Sequence, residues 1–187
     1  LARLAVSLFI VFASIAPAAA ATTAPAFETK AKQAYLIDAE TGTVLFAKNE
    51  DAVVPPASLA KLMTMEVVFD ALKRAEIHLD TAFPVSEHAW RTGGAPSGTA
   101  TMFAALKSQV PVADLIRGVA VLFANDACII LAEGVAGSED AFAARMTKRA
   151  GELGLKTSSF HNATGLPNPD NTMTMRDLVT LARHVQT

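Results

Sequence analysis

The stretch PPASLAKLMT, residues 55–64, combines a helix start with an ammonium group in an otherwise apolar setting. Two prolines end the segment that precedes it, and Ser58 stands three positions before Lys61. The apolar residues that follow, as far as Leu72, cover nearly all sides of a helical wheel, which predicts a buried helix starting at Ser58. Lysine is almost never fully buried without a partner, so Lys61 needs a chemical reason to be there.

Ser58 and Lys61 are candidates for a nucleophile and its base. On a helix, residues three apart lie on one face, with their Cβ atoms about 5–6 Å apart. At a helix N-terminus, free N–H groups and the helix dipole favour developing negative charge, as acyl transfer requires. Burial would lower the pKa of Lys61 and let it accept the serine proton. In the alternative interpretation Ser58 is only an N-cap and Lys61 extends to solvent.

Residues 33–49, QAYLIDAETGTVLFAKN, contain two β-rich apolar runs around a short glycine-containing connection. This pattern predicts a β-hairpin. A two-stranded hairpin is marginal by itself, and nearly everything after Ser58 reads as helical. We therefore expect the remaining strands of a larger sheet to lie beyond residue 187.

Further helices are predicted from residue 111 onward. Two segments, 111–123 and 125–137, meet near Asn125, and we expect Asp126 to act as an N-cap rather than as a catalytic acid. Ser138 is expected to cap the next helix, which should end at Gly154. The last predicted helix starts at Thr174, with Asp177 placed as in a capping box. Residues 81–110 predict loops, short helices and a small strand pair, with a cleft-edge turn at 91–98.

Residues 1–20, LARLAVSLFIVFASIAPAAA, have a basic residue, an apolar stretch and a small-residue cleavage pattern. These features predict a secretory signal peptide, with a mature start at Ala21 and a flexible lead-in over residues 21–32. The alternative is a transmembrane anchor, for which about 20 apolar residues are needed. The signal favours export to the periplasm or to the outer face of the cytoplasmic membrane.

Composition excludes several classes of function. The net charge of −2 shows no basic excess, so no nucleic-acid partner is expected. The single cysteine, Cys128, has no partner within the chain for a disulfide, and its apolar neighbours predict a buried thiol. Trp90 reads as a packing residue. The histidines lack metal-ligand spacing, so we expect neither a metal nor a cofactor; they are His78, His88, His161 and His184.

Four segments in order resemble the D-alanyl-D-alanine carboxypeptidases, the small penicillin-binding proteins of peptidase family S11. PPASLAKLMT resembles the S-x-x-K motif of that family. AYLIDAETGTVLFAKN (34–49) is similar to the hairpin before the nucleophile, and DLIRGVAVLFANDACIILAE (114–133) to the second-motif region. FHNATGLPNPDNTMTMRDL (160–178) is similar to the family's loop and following helix. The resemblance covers residue 33 to the end.

The resemblance implies a fold, a reaction and roles for three residues. The fold is α/β and β-lactamase/transpeptidase-like, an antiparallel sheet of five strands with a helical subdomain, of which residues 33–187 would be the N-terminal part. The implied reaction removes the terminal D-alanine from peptidoglycan stem peptides, and β-lactam antibiotics act as suicide substrates. Ser58 would be the acylated nucleophile, Lys61 the proton acceptor and Asn125 the second-motif asparagine. A C-terminal membrane anchor would lie in the missing part.

Two departures from the family pattern keep other functions open. The family's second motif is Ser-Gly-Asn or Ser-Ala-Asn, whereas this chain has Phe123 in place of the serine. No K-T-G motif is present, since residues 156–158 (KTS) precede the loop; the resemblance places that motif, with its substrate-binding lysine, beyond residue 187. The alternatives are a non-catalytic penicillin-binding-like domain that binds cell-wall peptide, and a class A-type β-lactamase.

Overall fold

In the computed structural model, which describes residues 27–186, the predicted hairpin is confirmed as two antiparallel strands. Strand β1 (Ala34–Ile37) pairs with β2 (Val44–Lys48). Between them the Asp38 carboxylate accepts hydrogen bonds from the backbone N–H and the hydroxyl of Thr41, both at 2.7 Å. These bonds lower the pKa of Asp38, and Gly42 completes the turn with a φ of +74°.

Residues from 31 onward form one compact unit. The predicted signal peptide, residues 1–20, lies outside the described residues, as does most of the predicted lead-in. The described end of that lead-in, residues 27–32, forms neither helix nor strand. Within the part of the chain that the structure describes, no helix has the length and apolar character needed to cross a membrane.

A second pair of short strands confirms the prediction for residues 81–110. Strand β3 (Ala82–Pro84) pairs antiparallel with β4 (Gln109–Pro111). Between them lie helix α2 (Glu87–Thr92) and a 3₁₀ turn (Ala95–Ser97).

Five longer helices build the core: α1 (Lys61–Lys73), α3 (Val112–Leu122), α4 (Asn125–Ala136), α5 (Glu139–Glu152) and α6 (Met175–Val185). Helix α4 is central, because it packs against α1, α2, α3 and α5. Its residues 127–132 are completely buried, Cys128 among them. Trp90 packs at the edge of the same core, as predicted. Most of α1 is buried as expected, whereas Phe69 is exposed.

Arg176 connects helix α6 to the β1–β2 hairpin and to the segment that follows it. Its guanidinium donates to the Tyr35 hydroxyl at 3.0 Å and to the Asp51 carboxylate at 2.7 Å. The same group lies 5.0 Å from the centre of the Tyr35 ring, within the range of a cation–π contact. The last helix is thereby fixed against strand β1, which lies far from it in sequence.

Two of the three predicted helix caps are confirmed. The Ser138 side chain accepts from the N–H of Ala141, and α5 ends two residues before Gly154. The Thr174 side chain accepts from the N–H of Asp177 at 3.0 Å. In a complete capping box the Asp177 carboxylate would accept from the backbone N–H of Thr174. Here the carboxylate accepts instead from the hydroxyls of Thr157 and Ser158.

The N-cap prediction for Asp126 is wrong. Helix α4 begins one residue earlier, with Ala124 at the cap position, so residue 126 lies inside the first turn. The completely buried Asp126 carboxylate accepts from the Thr101 hydroxyl at 2.7 Å and from the N–H groups of Met102 and Ala104. Asp126 therefore fixes the 101–104 loop against α4, beside the second-motif residues.

Candidate active site

Ser58 lies in a 3₁₀ turn (Ala57–Ala60) that leads directly into α1, so the α-helix starts three residues later than predicted. The cap position of this turn is Pro56, and no side chain caps it. The interpretation of Ser58 as an N-cap is therefore wrong. Ala57 has a φ of +49°, in the left-handed region, and Ser58 itself is exposed. The chain turns sharply here and presents the serine to solvent.

Lys61, one turn later, is only 4% exposed. Its Nζ atom donates to the backbone carbonyl of Thr164 at 2.7 Å. The alternative in which Lys61 extends to solvent is therefore wrong. Burial lowers the pKa of Lys61, and the thiol of Cys128 opposes this shift. A neutral amine can donate one hydrogen to Thr164 and keep its lone pair for a proton from a neighbouring hydroxyl.

The loop that holds Lys61, residues 160–171, is ordered by its own side chains. The Asn162 side-chain oxygen accepts from the N–H of Gly165 at 2.7 Å and from Thr164. Gly165 has a φ of +75°, and a Cβ placed there would collide with the carbonyl oxygen of Ala57. The loop thus lies directly against the turn that carries Ser58.

An open cleft of about 600 Å³ runs between this loop and the Ser58 turn. Its wall is mainly apolar, with the Ser58 hydroxyl at one side, which suits a small peptide with a few polar groups. The residues lining it are Pro55, Ala57, Ser58, Gly165, Leu166, Pro167, Asn168, Pro169 and Asn171. The cleft therefore brings Ser58 and the 165–171 segment together, and the buried Lys61 is not among the residues that line it.

The second-motif region joins α3 to α4. Phe123 ends α3 in the left-handed conformation, with a φ of +54°, and is 52% exposed. Asn125 is the first residue of α4 and is 4% exposed. Its side-chain nitrogen donates to the Thr99 hydroxyl at 2.9 Å. Among the described residues its Oδ1 atom, which is buried, has no hydrogen-bond partner, so an acceptor remains available for a donor on a bound molecule.

Comparisons with known proteins identify the family. A family model described as D-alanyl-D-alanine carboxypeptidase matches residues 18–187. The chain belongs to the D-alanyl-D-alanine carboxypeptidase family. It is 41% identical over 166 residues to the D-alanyl-D-alanine carboxypeptidase DacC of Escherichia coli, covering 88% of this chain and 42% of that relative. With DacF of Bacillus subtilis the identity is 36% over 156 residues, covering 83% of this chain and 39% of the relative.

Solved structures show the same fold. Penicillin binding protein 5 from Haemophilus influenzae matches with a TM-score of 0.82 and 36% identity, over 88% of this chain and 47% of that one. A D-alanyl-D-alanine carboxypeptidase from Francisella tularensis matches with a TM-score of 0.78 and 34% identity, over 84% and 37%. The α/β, transpeptidase-like fold class is thus confirmed. The chain spans about two fifths of the length of the curated relatives named above.

Several residues around the candidate site could not be recognised from the sequence. Thr164 acts through its backbone carbonyl, which any residue could supply. Thr99 directly follows the predicted cleft-edge turn at 91–98, and only the fold reveals its bond to Asn125. Gly93 packs against the backbone of residues 125 and 126, where a Cβ would have no room. The two adjacent glycines at 93 and 94 were the available signal for this close approach.

Three of the four histidines make side-chain contacts with nearby residues. His88 lies 2.8 Å from Glu139, His161 contacts the Ser159 hydroxyl, and His184 lies 3.2 Å from Glu66. No group of three metal-ligating side chains occurs among residues 27–186.

The buried thiol of Cys128 makes a prediction for alkaline stability. Burial raises its pKa from 9.0 to about 12, although Lys61 opposes the shift. Above pH 9 the unfolded chain loses the thiol proton while the folded state retains it, so the free energy of unfolding falls by up to about 1.4 kcal/mol per pH unit. In Cys128→Ala this contribution should disappear.

Urea denaturation of both proteins between about pH 9 and about pH 11 measures the difference in slope. Lys61 has a lowered pKa and contributes a slope of opposite sign, but it does so in both proteins. Because the thiol also acts on the pKa of Lys61, the same pair is compared in a Lys61→Met background, where only the thiol differs. Parallel curves for the parent and Cys128→Ala would show that burial does not hold the proton on Cys128.

Proposed function

We propose that this chain carries the nucleophilic part of a serine-type D-Ala-D-Ala carboxypeptidase. Its substrates would be peptidoglycan stem peptides that end in D-Ala-D-Ala, and β-lactam antibiotics would acylate the same serine. The observation that carries this proposal is the exposed Ser58 one turn before Lys61, whose buried amine is held by the Thr164 carbonyl. Family membership and the adjoining cleft support it.

The reaction follows from these positions. The Ser58 hydroxyl proton passes to the Lys61 amine as Oγ attacks the carbonyl carbon between the two D-alanines. The C–N bond breaks, the departing D-alanine takes a proton from Lys61, and the peptide remains as an ester on Ser58. Water then attacks the ester with Lys61 again accepting a proton, which releases the shortened peptide and restores Ser58.

In this proposal Asn125 supports the reaction, whereas Phe123 hinders it. The buried Oδ1 of Asn125 accepts an N–H of the substrate or of Lys61, since its nitrogen is already bonded to Thr99. Phe123 occupies the place of the second-motif serine and supplies no hydroxyl for proton transfer. Its half-exposed ring is expected to slow acylation.

Labelling with a fluorescent penicillin tests the proposal on the whole chain. We expect slow labelling of the parent, none of Ser58→Ala, and labelling of Phe123→Ser faster by at least about tenfold, because a relayed proton transfer contributes about 10²–10⁴ to rates. Phe123→Gly is the matched control, since it removes the ring and relaxes the left-handed backbone without adding a hydroxyl. Equal labelling of Ser58→Ala and the parent, or no labelling of any protein, contradicts the proposal.

A second candidate function is a penicillin-binding-like domain that binds cell-wall peptide without cleaving it. Phe123 is the observation that favours it, since a phenyl ring cannot relay a proton. Calorimetric titration with a peptide ending in D-Ala-D-Ala distinguishes the two. Binding to both parent and Ser58→Ala, with no penicillin labelling of Phe123→Ser, would support the binding domain.

We also propose that the protein acts outside the cytoplasm, in the periplasm or on the outer face of the cytoplasmic membrane. The basic, apolar and small-residue pattern of residues 1–20 supports this. Peptidoglycan stem peptides are found in that compartment. Fusion of residues 1–20 to a reporter that is active only after export would test the signal, and a reporter retained in the cytoplasm would contradict it.

A further inference from the structure

Glu139 is a partly buried carboxylate with a separate partner for each oxygen. It is the first residue of α5, and its side chain is 12% exposed. Its Oε1 atom accepts from the backbone N–H of Ala163 at 3.0 Å. Its Oε2 atom lies 2.8 Å from Nε2 of His88 on α2. A single side chain thereby joins α2 and α5 to the loop of residues 160–171.

The same stretch of that loop holds Lys61. The carbonyl of Ala163 accepts from the Thr64 hydroxyl at 2.7 Å, and the carbonyl of Thr164 accepts from Nζ of Lys61 at 2.7 Å. Residues 163 and 164 are therefore fixed on one side by Glu139 and on the other by two consecutive turns of α1. Moving the Ala163 N–H would tilt the peptide that follows it, and with it the oxygen that orients the lysine.

We infer that Glu139 is a positioning residue for the proton acceptor Lys61, acting through the 163–164 backbone; this inference rests on the proposed function. His88 holds the second oxygen of Glu139 and is itself within 3.3 Å of the Thr92 hydroxyl. Lys61 must meet the Ser58 proton at hydrogen-bond distance, and a misplacement of about 1 Å can reduce a rate by about 10²-fold. The carboxylate thus contributes to acylation without touching the substrate.

A purely local role for Glu139 is the competing explanation. An acidic residue in the first turn of a helix stabilises it through the helix dipole, and Asp140 does the same from the next position. Asp140 differs in being exposed. The field of Glu139 also reaches the interior, since it is among the groups that raise the pKa of Cys128, whose thiol interacts electrostatically with Lys61. Asp140 is therefore a matched control: it has the same charge and lies in the same helical turn.

Penicillin labelling of variants of the whole chain provides the first test. Glu139→Ala should label about 10–100-fold more slowly than the parent, because the loop loses the acceptor for the Ala163 N–H. Glu139→Gln should label within about threefold of the parent, because its side-chain carbonyl can accept the same bond. Asp140→Ala should label at the parent rate. Equal effects of Glu139→Ala and Asp140→Ala, or failure of Gln to rescue, would overturn the inference.

A second measurement determines the pKa of Lys61 directly and does not depend on acylation of Ser58. In protein labelled with ¹³C at lysine Cε, the Lys61 signal is assigned by its absence from Lys61→Met and followed through a pH titration. The charged or titratable groups to consider are Cys128 and Asp126 on α4 and Glu139 on α5. In Glu139→Ala the Lys61 pKa should rise toward its ordinary value, because a loosened loop admits water. It should rise further than in Glu139→Gln, which removes the same charge but keeps the acceptor for the Ala163 N–H, and it should stay at the parent value in Asp140→Ala.

The two measurements separate failure of the inference from failure of the proposed function. Absence of penicillin labelling in every protein, with a Lys61 titration that shifts only in Glu139→Ala, would reject the carboxypeptidase proposal and keep the positioning role. A Lys61 titration that is unchanged in Glu139→Ala would overturn the inference, whatever the labelling shows. Thermal unfolding of each variant confirms that the proteins compared are folded.

Discussion

Replacing Lys61 by methionine is expected to reduce the rate of penicillin acylation by at least about a thousandfold, to near the level of Ser58→Ala. General bases contribute about 10²–10⁴ to rates, and losing one member of a cooperating set can abolish nearly all of its effect. Methionine keeps the unbranched apolar stem that fills this buried position. The loss would therefore report the missing amine rather than a cavity.

Rate and stability should respond differently in this variant. The folded state disfavours the charged form of Lys61, so replacing the amine by methionine should not lower the free energy of unfolding at neutral pH. The parent rate should also rise with pH as Lys61 loses its proton, below the ordinary value of 10.5, and this rise should vanish in Lys61→Met. Lys73→Met, an exposed change at the other end of α1, is the control. A Lys61→Met protein that labels at the parent rate would exclude Lys61 as the base.

The second large effect is expected at Gly165, where alanine should lower the free energy of unfolding by about 3 kcal/mol. The left-handed backbone there disfavours any side chain, and the new Cβ would collide with the Ala57 carbonyl. Because Ala57 precedes the nucleophile, the displacement should also slow penicillin labelling.

Two glycines of the same chain separate these contributions. Gly154 has a φ of +79° but nothing within 4 Å of an added Cβ, so Gly154→Ala should show only the backbone penalty of about 1–2 kcal/mol. Gly151 lies within α5 with open space around it, and Gly151→Ala should stabilise by up to about 1 kcal/mol. Urea unfolding followed by circular dichroism measures all three. If Gly165→Ala were no less stable than Gly154→Ala, the close contact with Ala57 would be disproved.

The features that could be predicted are those that depend on residues close together in the sequence. The hairpin and the caps at Ser138 and Thr174 depend on neighbours within a few residues, and the structure confirms them. The role of Asp126 could not be predicted in the same way. Its partners lie more than twenty residues earlier, in a loop whose position only the packed core determines.

Most of the features that the sequence did not predict involve backbone groups. The acceptor for Lys61 is a backbone carbonyl, and every residue type has one, so the sequence does not reveal it. The 3₁₀ turn at Ala57–Ala60 also escaped prediction, because alanine and leucine fit either helix type. The left-handed conformation of Phe123 belongs to the hydrogen bonding at the end of α3, where the N–H of Ala124 donates to the Gly118 carbonyl. Glycine is the usual residue in this position, so phenylalanine gave no sequence signal for it.

The bond between Lys61 and Thr164 makes the reactivity of a short motif depend on the whole fold. Ser58 and Lys61 are close in sequence, yet the carbonyl that holds the amine lies 103 residues further along the chain than Lys61. In an unfolded chain the lysine is hydrated and positively charged, so the serine beside it is an ordinary hydroxyl. The nucleophile is therefore activated only when residues 160–171 dock on α1, and penicillin labelling would report completed folding as well as chemistry.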